Sequence, residues 1–271
     1  MAPVDTFGID QPVSEVGQIL ATALTFGLAA VAVVYVVGLW RRERVTWPFF
    51  VLISGGLTCL LEPLYDHLYG LWFYEEGQWN LYETFGSSQP VWVPAAYVAF
   101  YGGASVFVAR ALARRPVMRT VWAMYGAIVV MALLAEITYV SVLEVYSYQD
   151  SQPFEVLGYP LFLAFTNAMS AVVAGILVFR IAPMLPRARD QVALIALVPG
   201  AFAFGLFGTG ILYLSVRHGF DDPPMPLVYL AALTVPGAIA STIRLLGVCL
   251  VQTAPQPPEA AEPVRASAVA V

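Results

Sequence analysis

Seven apolar stretches of roughly 20 residues run along this chain, parted by short polar connections. A helix rises about 1.5 Å per residue, so a run of that length matches the hydrocarbon thickness of a bilayer. The stretches fall at 16–40, 48–69, 90–112, 120–145, 159–181, 191–216 and 227–251. They predict an all-α protein, an integral membrane bundle of seven transmembrane helices filling 16–251. Residues 1–15 are expected as a short extracytoplasmic N-terminal segment, because Asp5 and Asp10 stand where a cleaved signal would carry basic residues. Residues 252–271, rich in Pro, Ala and Glu, read as a disordered cytosolic tail.

The polar connections differ in charge from one side to the other. Those after the first, third and fifth stretches hold Arg41, Arg42, Arg44, Arg114, Arg115, Arg119, Arg187 and Arg189. Those after the second, fourth and sixth hold Glu75, Glu76, Glu83, Asp150, Glu155, Asp221 and Asp222, with Arg217 against them. The positive-inside rule then places the N-terminus outside and the C-terminus in the cytosol of a multi-pass plasma-membrane protein. Composition agrees: 59% of residues are hydrophobic and 11% charged, where a soluble domain has about a quarter charged to wet its surface. Mean hydropathy is +0.75. The partners expected are the lipid bilayer and an apolar small-molecule substrate, not nucleic acid; the oligomeric state stays open. A short echo also stands out, Ser87-Ser88-Gln89-Pro90 against Asp150-Ser151-Gln152-Pro153, each following a stretch with an intramembrane Glu.

Ionisable groups inside apolar spans are costly and are candidates for function. The second stretch holds Glu62-Pro63-Leu64-Tyr65-Asp66-His67-Leu68-Tyr69. Glu62 falls about 20 Å above the cytosolic end, and Asp66 shares its helix face one turn higher. Pro63 lacks an N–H and is expected to loosen the helix there. Glu136 lies at similar depth in the fourth stretch, followed by Tyr139 and, near the outer boundary, Glu144. The fifth brings Asn167 to that level, and the sixth brings Tyr213. The expectation is a polar pocket in the outer half, ringed by Tyr and Trp and roofed by the loop 75–89. Glu62, Asp66 and Glu136 would be catalytic. Tyr65, His67, Trp79, Tyr139, Glu144, Asn167 and Tyr213 would bind substrate. In an apolar surround a carboxyl beside another carboxyl favours its neutral form and can then donate a proton.

Several chemistries are excluded. All 13 basic residues are Arg, so no Lys amine exists to carry a retinal Schiff base. Asp221-Asp222 is a lone acidic pair where prenyl-diphosphate chemistry would want paired motifs for Mg²⁺. His67 and His218 are the only histidines, too few for a di-iron histidine box. Cys59 and Cys249 lie in apolar runs without ligand spacing and read as small buried hydrophobes. No metal and no cofactor is expected.

Leu61-Glu62-Pro63-Leu64-Tyr65-Asp66, Gly77-Gln78-Trp79, Phe85-Gly86, Pro90-Val91-Trp92, Tyr97 and Tyr101-Gly102-Gly103 form one set of motifs; Pro153-Phe154, 157–161 (Leu-Gly-Tyr-Pro-Leu) and Asn167-Ala168 form another. Together they resemble the spirocyclase AveC-like family over roughly 60–174. That resemblance implies a polytopic membrane enzyme of natural-product biosynthesis that closes spiroketal rings of polyketides by acid-assisted addition of hydroxyls to a ketone. It implies no cofactor, and the roles of individual residues come from the chain itself: Glu62 or Glu136 as proton donor, Asp66 as charge partner or base, and Asn167, Tyr65 and Tyr139 as orienting groups. A membrane terpene or carotenoid cyclase or hydratase would use the same buried acid. A proton-coupled small-molecule transporter would also place carboxylates in the membrane.

Overall fold

The fold is seen in a computed structural model, which describes residues 11–149 and 152–254. Residues 1–10 of the expected N-terminal segment, Asp150 and Ser151 of the echo, and 255–271 of the expected tail lie outside those residues.

Among the described residues seven helices are long and apolar enough to cross a membrane: α1 (Glu15–Glu43), α2 (Trp47–Tyr69), α3 (Val93–Arg114), α4 (Met118–Val142), α5 (Phe162–Met184), α6 (Asp190–Gly208) and α8 (Met225–Val251). A shorter helix, α7 (Ile211–Gly219), stands between the last two. The centre is α5, whose apolar stretch is 83% buried against 17% for α1. It packs on α3, α4, α6 and α8. A helix apolar on all sides belongs in the middle, and Ala164, Ala168, Ala171, Ala174 and Gly175, all buried or tightly approached, let the neighbours close in. A close crossing lies between α2 and α3, where a Cβ on Gly55 would stand 2.5 Å from Gly102 Cα.

The sixth apolar stretch is not one helix. It breaks at Thr209-Gly210, between α6 and α7. Gly208, Thr209 and Gly210 hold helix weakly. The Tyr69 hydroxyl donates to the Leu206 carbonyl at 2.6 Å, in space that a Cβ on Gly210 would fill.

The connections expected as loops contain strands, so the fold is mostly helical rather than all-α. Three antiparallel pairs form: β1 (Leu71–Phe73) with β4 (Tyr146–Tyr148), β2 (Asn80–Thr84) with β3 (Ser87–Pro90), and β5 (Glu155–Val156) with β6 (Tyr159–Pro160). The last two close with two-residue turns, Phe85-Gly86 and Leu157-Gly158, and all four residues have positive φ. That is the requirement of the type I′ hairpin turn, with Gly at its second position.

These ribbons gather at one end of the bundle. β1 pairing with β4 joins the α2–α3 connection to the α4–α5 connection. The Gln18 side chain of α1 donates to the Gly77 carbonyl at 3.2 Å and accepts from the Trp79 N–H at 2.5 Å. His218 Nε2 of α7 lies 2.7 Å from the Leu68 carbonyl. At the opposite end, where the arginines collect, Arg110 forks onto Glu43 and Thr46 Oγ1 donates to Gln191 Oε1 at 2.8 Å.

Helix α1 is held at its two ends. Its buried residues are Gly17, Gln18, Ala21 and Thr25 near the start, then Val36 and Leu39 near the finish. Between Thr25 and Val36 none is buried; Ala29 and Ala32 are half-buried. Gly17 sits so close to the Leu143 carbonyl that any side chain there would collide with it.

Candidate functional site

In α2 the helix tightens to a 3₁₀ turn at Cys59–Leu61 and resumes as α-helix at Glu62. Pro63 explains this, having no N–H for the Cys59 carbonyl. That carbonyl instead takes the Glu62 N–H and, from β2, the Tyr82 hydroxyl at 2.7 Å. Glu62 is the first residue past the irregularity, and it faces inward.

A cavity of about 460 Å³ lies between α1, α3 and α4, closed behind by α2 and α5. Glu62, Tyr65, Tyr97, Tyr101, Glu136 and Asn167 bring polar atoms to it. Thr25, Tyr35, Tyr139 and Tyr146 also line it, and most of its surface is apolar. Glu62 Oε2 accepts a hydrogen bond from Tyr97. Among the described residues no hydrogen bond reaches its other oxygen, and the side chain lines the cavity.

Glu136 is held differently. Oε2 accepts from Tyr146 at 2.6 Å and from Tyr148 at 3.5 Å, and Oε1 accepts from Asn167 Nδ2 at 3.2 Å. Three donors are the arrangement that satisfies a carboxylate anion. Behind them, Tyr101 donates to Asn167 Oδ1 at 3.1 Å, and the Tyr65 and Tyr148 hydroxyls stand 3.0 Å apart. Burial, and next the negative charge of Glu136, pushes the Tyr146 and Tyr148 phenols up, which keeps both protonated as donors. The ribbon end of the cavity is aromatic. Trp92 stacks on Tyr139 with ring centroids 5.1 Å apart, and Phe73 meets Tyr146 edge-on at 5.4 Å.

The other expected site residues are spread more widely. Tyr139 lines the cavity beside Glu136. Asp66, expected beside Glu62 in the pocket, does not line it and is fully buried. The β2–β3 hairpin folds over it, and its Oδ2 accepts from Ser87 Oγ and Gln89 Nε2, each at 2.6 Å. His67 is half-buried against Trp72 with ring centroids 6.4 Å apart, away from the cavity. Trp79 is exposed and does not line the cavity, which takes Leu71 and Phe73 of β1 and Tyr146 of β4 into its lining and no residue of the loop 75–89. Glu144 is exposed at a positive φ just past α4. Tyr213 is fully buried, stacked on Tyr69 at 5.7 Å and donating to Gln152 Oε1 at 2.9 Å. Cys59 is buried and Cys249 exposed.

Reading the chain for intramembrane charge passes over Tyr97, Tyr101, Tyr146 and Tyr148. Two signals were present. Tyr97 and Tyr101 are spaced i, i+4 on one helix face. Tyr146-Ser147-Tyr148 has the two-residue alternation that puts both rings on one face of a strand. Both echoed glutamines, Gln89 and Gln152, are buried. Among the described residues no three His, Cys, Asp or Glu side chains cluster so as to hold a metal ion. No family model, curated protein or solved structure matches this chain.

Proposed function

We propose that this is an integral-membrane cyclase, its arginine end in the cytosol, that closes rings on an apolar, oxygen-bearing substrate by acid catalysis between Glu62 and Glu136. The observation that carries it is that carboxyls from two different helices line one apolar cavity. The likeness to the spirocyclase AveC-like family supports the same chemistry.

The two carboxyls differ in a way that divides the work. Glu62 has an oxygen without a partner among the described residues and is the proton donor; Glu136, with three donors on it, is the base. For a dihydroxy ketone, one hydroxyl adds to the carbonyl to give a hemiketal. Glu62 protonates the hemiketal hydroxyl, which leaves as water, and an oxocarbenium ion remains. The second hydroxyl attacks that carbon and gives its proton to Glu136. The product is the spiroketal plus one water, and the proton returns from Glu136 to Glu62 before the next turnover. The faces of Trp92 and Tyr139 and the Glu136 carboxylate stabilise the cation. The same aromatic lining would serve a terpene-type carbocation, which keeps that substrate class as the second reading.

The test is conversion of a synthetic long-chain dihydroxy ketone by membranes containing the protein, read by mass spectrometry as loss of one water. Glu62→Gln should lower the rate by roughly 10²–10⁴, the usual contribution of a positioned general acid, while the protein remains folded. An undiminished rate sinks the assignment. Accumulation of unchanged ketone in proteoliposomes, driven by a pH gradient, would favour transport instead.

A further inference from the structure

The cavity is closed toward both ends of the bundle and open at its flank. Toward the ribbon end Leu71, Phe73, Trp92 and Tyr146 line it and all are buried. Toward the arginine end Val36 and Val106 are buried as well. Five other lining residues stand on the outer surface: Leu28, Val31 and Tyr35 of α1 are 49%, 66% and 40% exposed, Phe107 of α3 is 56% and Met131 of α4 is 43%. A side chain that borders a cavity and also the outside marks the rim of an opening. This rim is the slot between α1 and α4, where α1 has no buried residue.

The height of the slot decides what can pass. At 1.5 Å per residue, Val31 is about 24 Å from the Glu15 end of α1 and about 18 Å from the Glu43 end. Met131 is about 20 Å and about 17 Å from the two ends of α4. Its rim carries no charge: Leu28, Val31, Tyr35, Phe107 and Met131. A slot at mid-height in helices of this length opens on hydrocarbon, not on water.

We propose that the cavity is loaded sideways from the hydrocarbon layer through the slot between α1 and α4, so its ligand is a neutral, membrane-dissolved molecule that enters oxygen end first. This rests on the reading of the protein as a membrane-embedded acid catalyst, and it adds the substrate class and the route. The cavity volume suits one such molecule, since ligand sites commonly span about 300–1,000 Å³.

A reagent pair tests the route without turnover. N,N′-dicyclohexylcarbodiimide is neutral and lipid-soluble; ethyl-dimethylaminopropyl carbodiimide is cationic and water-soluble. Either captures a neutral carboxyl: the acid proton passes to a carbodiimide nitrogen, the carboxyl oxygen bonds the central carbon, and rearrangement leaves an N-acylurea heavier by the whole reagent. The protein in liposomes is labelled at mildly acidic pH and Glu62 and Glu136 are read by peptide mass spectrometry. The lipid-soluble reagent should label Glu62, and the cationic one about tenfold or more slowly, because hydrocarbon rejects its charge. Val31→Trp and Met131→Trp should each slow the first reaction by about tenfold by overfilling the rim. Val34→Trp, on the exposed face of the same helix and outside the cavity lining, should leave it unchanged. Equal labelling by both reagents, no labelling of either carboxyl, or a rate indifferent to tryptophan at the rim overturns the route. If labelling follows the expected pattern while the unaltered protein closes no ring, the cyclase reading fails and the route stands; ring closure without that labelling pattern overturns the route and leaves the cyclase reading.

Discussion

Tyr97 of α3 donates its hydroxyl hydrogen bond to Glu62 of α2. The two helices touch backbone to backbone at Gly55 and Gly102, so this pair bridges a close crossing at the wall of the cavity. Because Glu62 is assigned as a neutral acid, the pair should contribute what a neutral hydrogen bond does, about 1 kcal/mol. A double-mutant cycle with Tyr97→Phe and Glu62→Gln, measured by unfolding in mixed detergent micelles, should give a coupling of that size. A coupling of about 2–3 kcal/mol would mean a charged Glu62, and the roles of the two carboxyls would have to be exchanged.

The α2–α3 crossing also makes a prediction about stability alone. Gly55→Ala places a methyl group 2.5 Å from Gly102 Cα and should destabilise the protein by more than about 2 kcal/mol through overpacking. Gly126 lies exposed on α4 with nothing within 4 Å of a built Cβ, so Gly126→Ala should be neutral or stabilise by up to about 1 kcal/mol through helix propensity. Thermal unfolding of both variants in one detergent compares them directly; equal midpoints would show that the crossing is looser than described.

Alkaline pH should unfold the protein cooperatively. Burial first, and the Glu136 charge second, raise the Tyr146, Tyr148 and Tyr159 phenols above the ordinary value of about 10. A group whose folded-state pKa is raised holds its proton more tightly when folded. Its stabilisation is complete below the unfolded pKa and is lost as pH climbs through the folded one. Tyrosinate absorbance should therefore rise in two stages, the exposed phenols near pH 10 and the buried ones only as helix circular dichroism collapses. Tyr148→Phe should shrink the second stage. One smooth titration with circular dichroism unchanged would contradict this.

The helices were the legible part of the sequence, because lipid-length apolar runs punctuated by arginine leave little choice. Counting turns was enough to bring Glu62 and Glu136 to one level, and Pro63 announced the irregularity beside Glu62. What counting could not give is direction. Asp66 is one turn from Glu62, yet its carboxyl serves Ser87 and Gln89 on β3, a partner that exists only once the hairpin folds back. The strands are two to five residues long and are fixed by pairing across distant segments, which no local pattern reveals. The break at Thr209-Gly210 likewise needs Tyr69, from a helix far away in sequence, to reach Leu206. Trp79 and Glu144 lie near the site along the chain, but both are exposed, beside positive-φ positions at Gly77 and Glu144.

A helix with buried residues between Gly17 and Thr25 and again at Val36 and Leu39, and none between Thr25 and Val36, behaves mechanically as a beam on two piers. At about 1.5 Å per residue α1 is roughly 43 Å long, and such a beam bows most at midspan, where Val31 stands. The aperture beside it is therefore coupled to the curvature of a single helix, and whatever pulls the piers apart or lets them approach, bilayer thickness included, sets how wide the protein gapes.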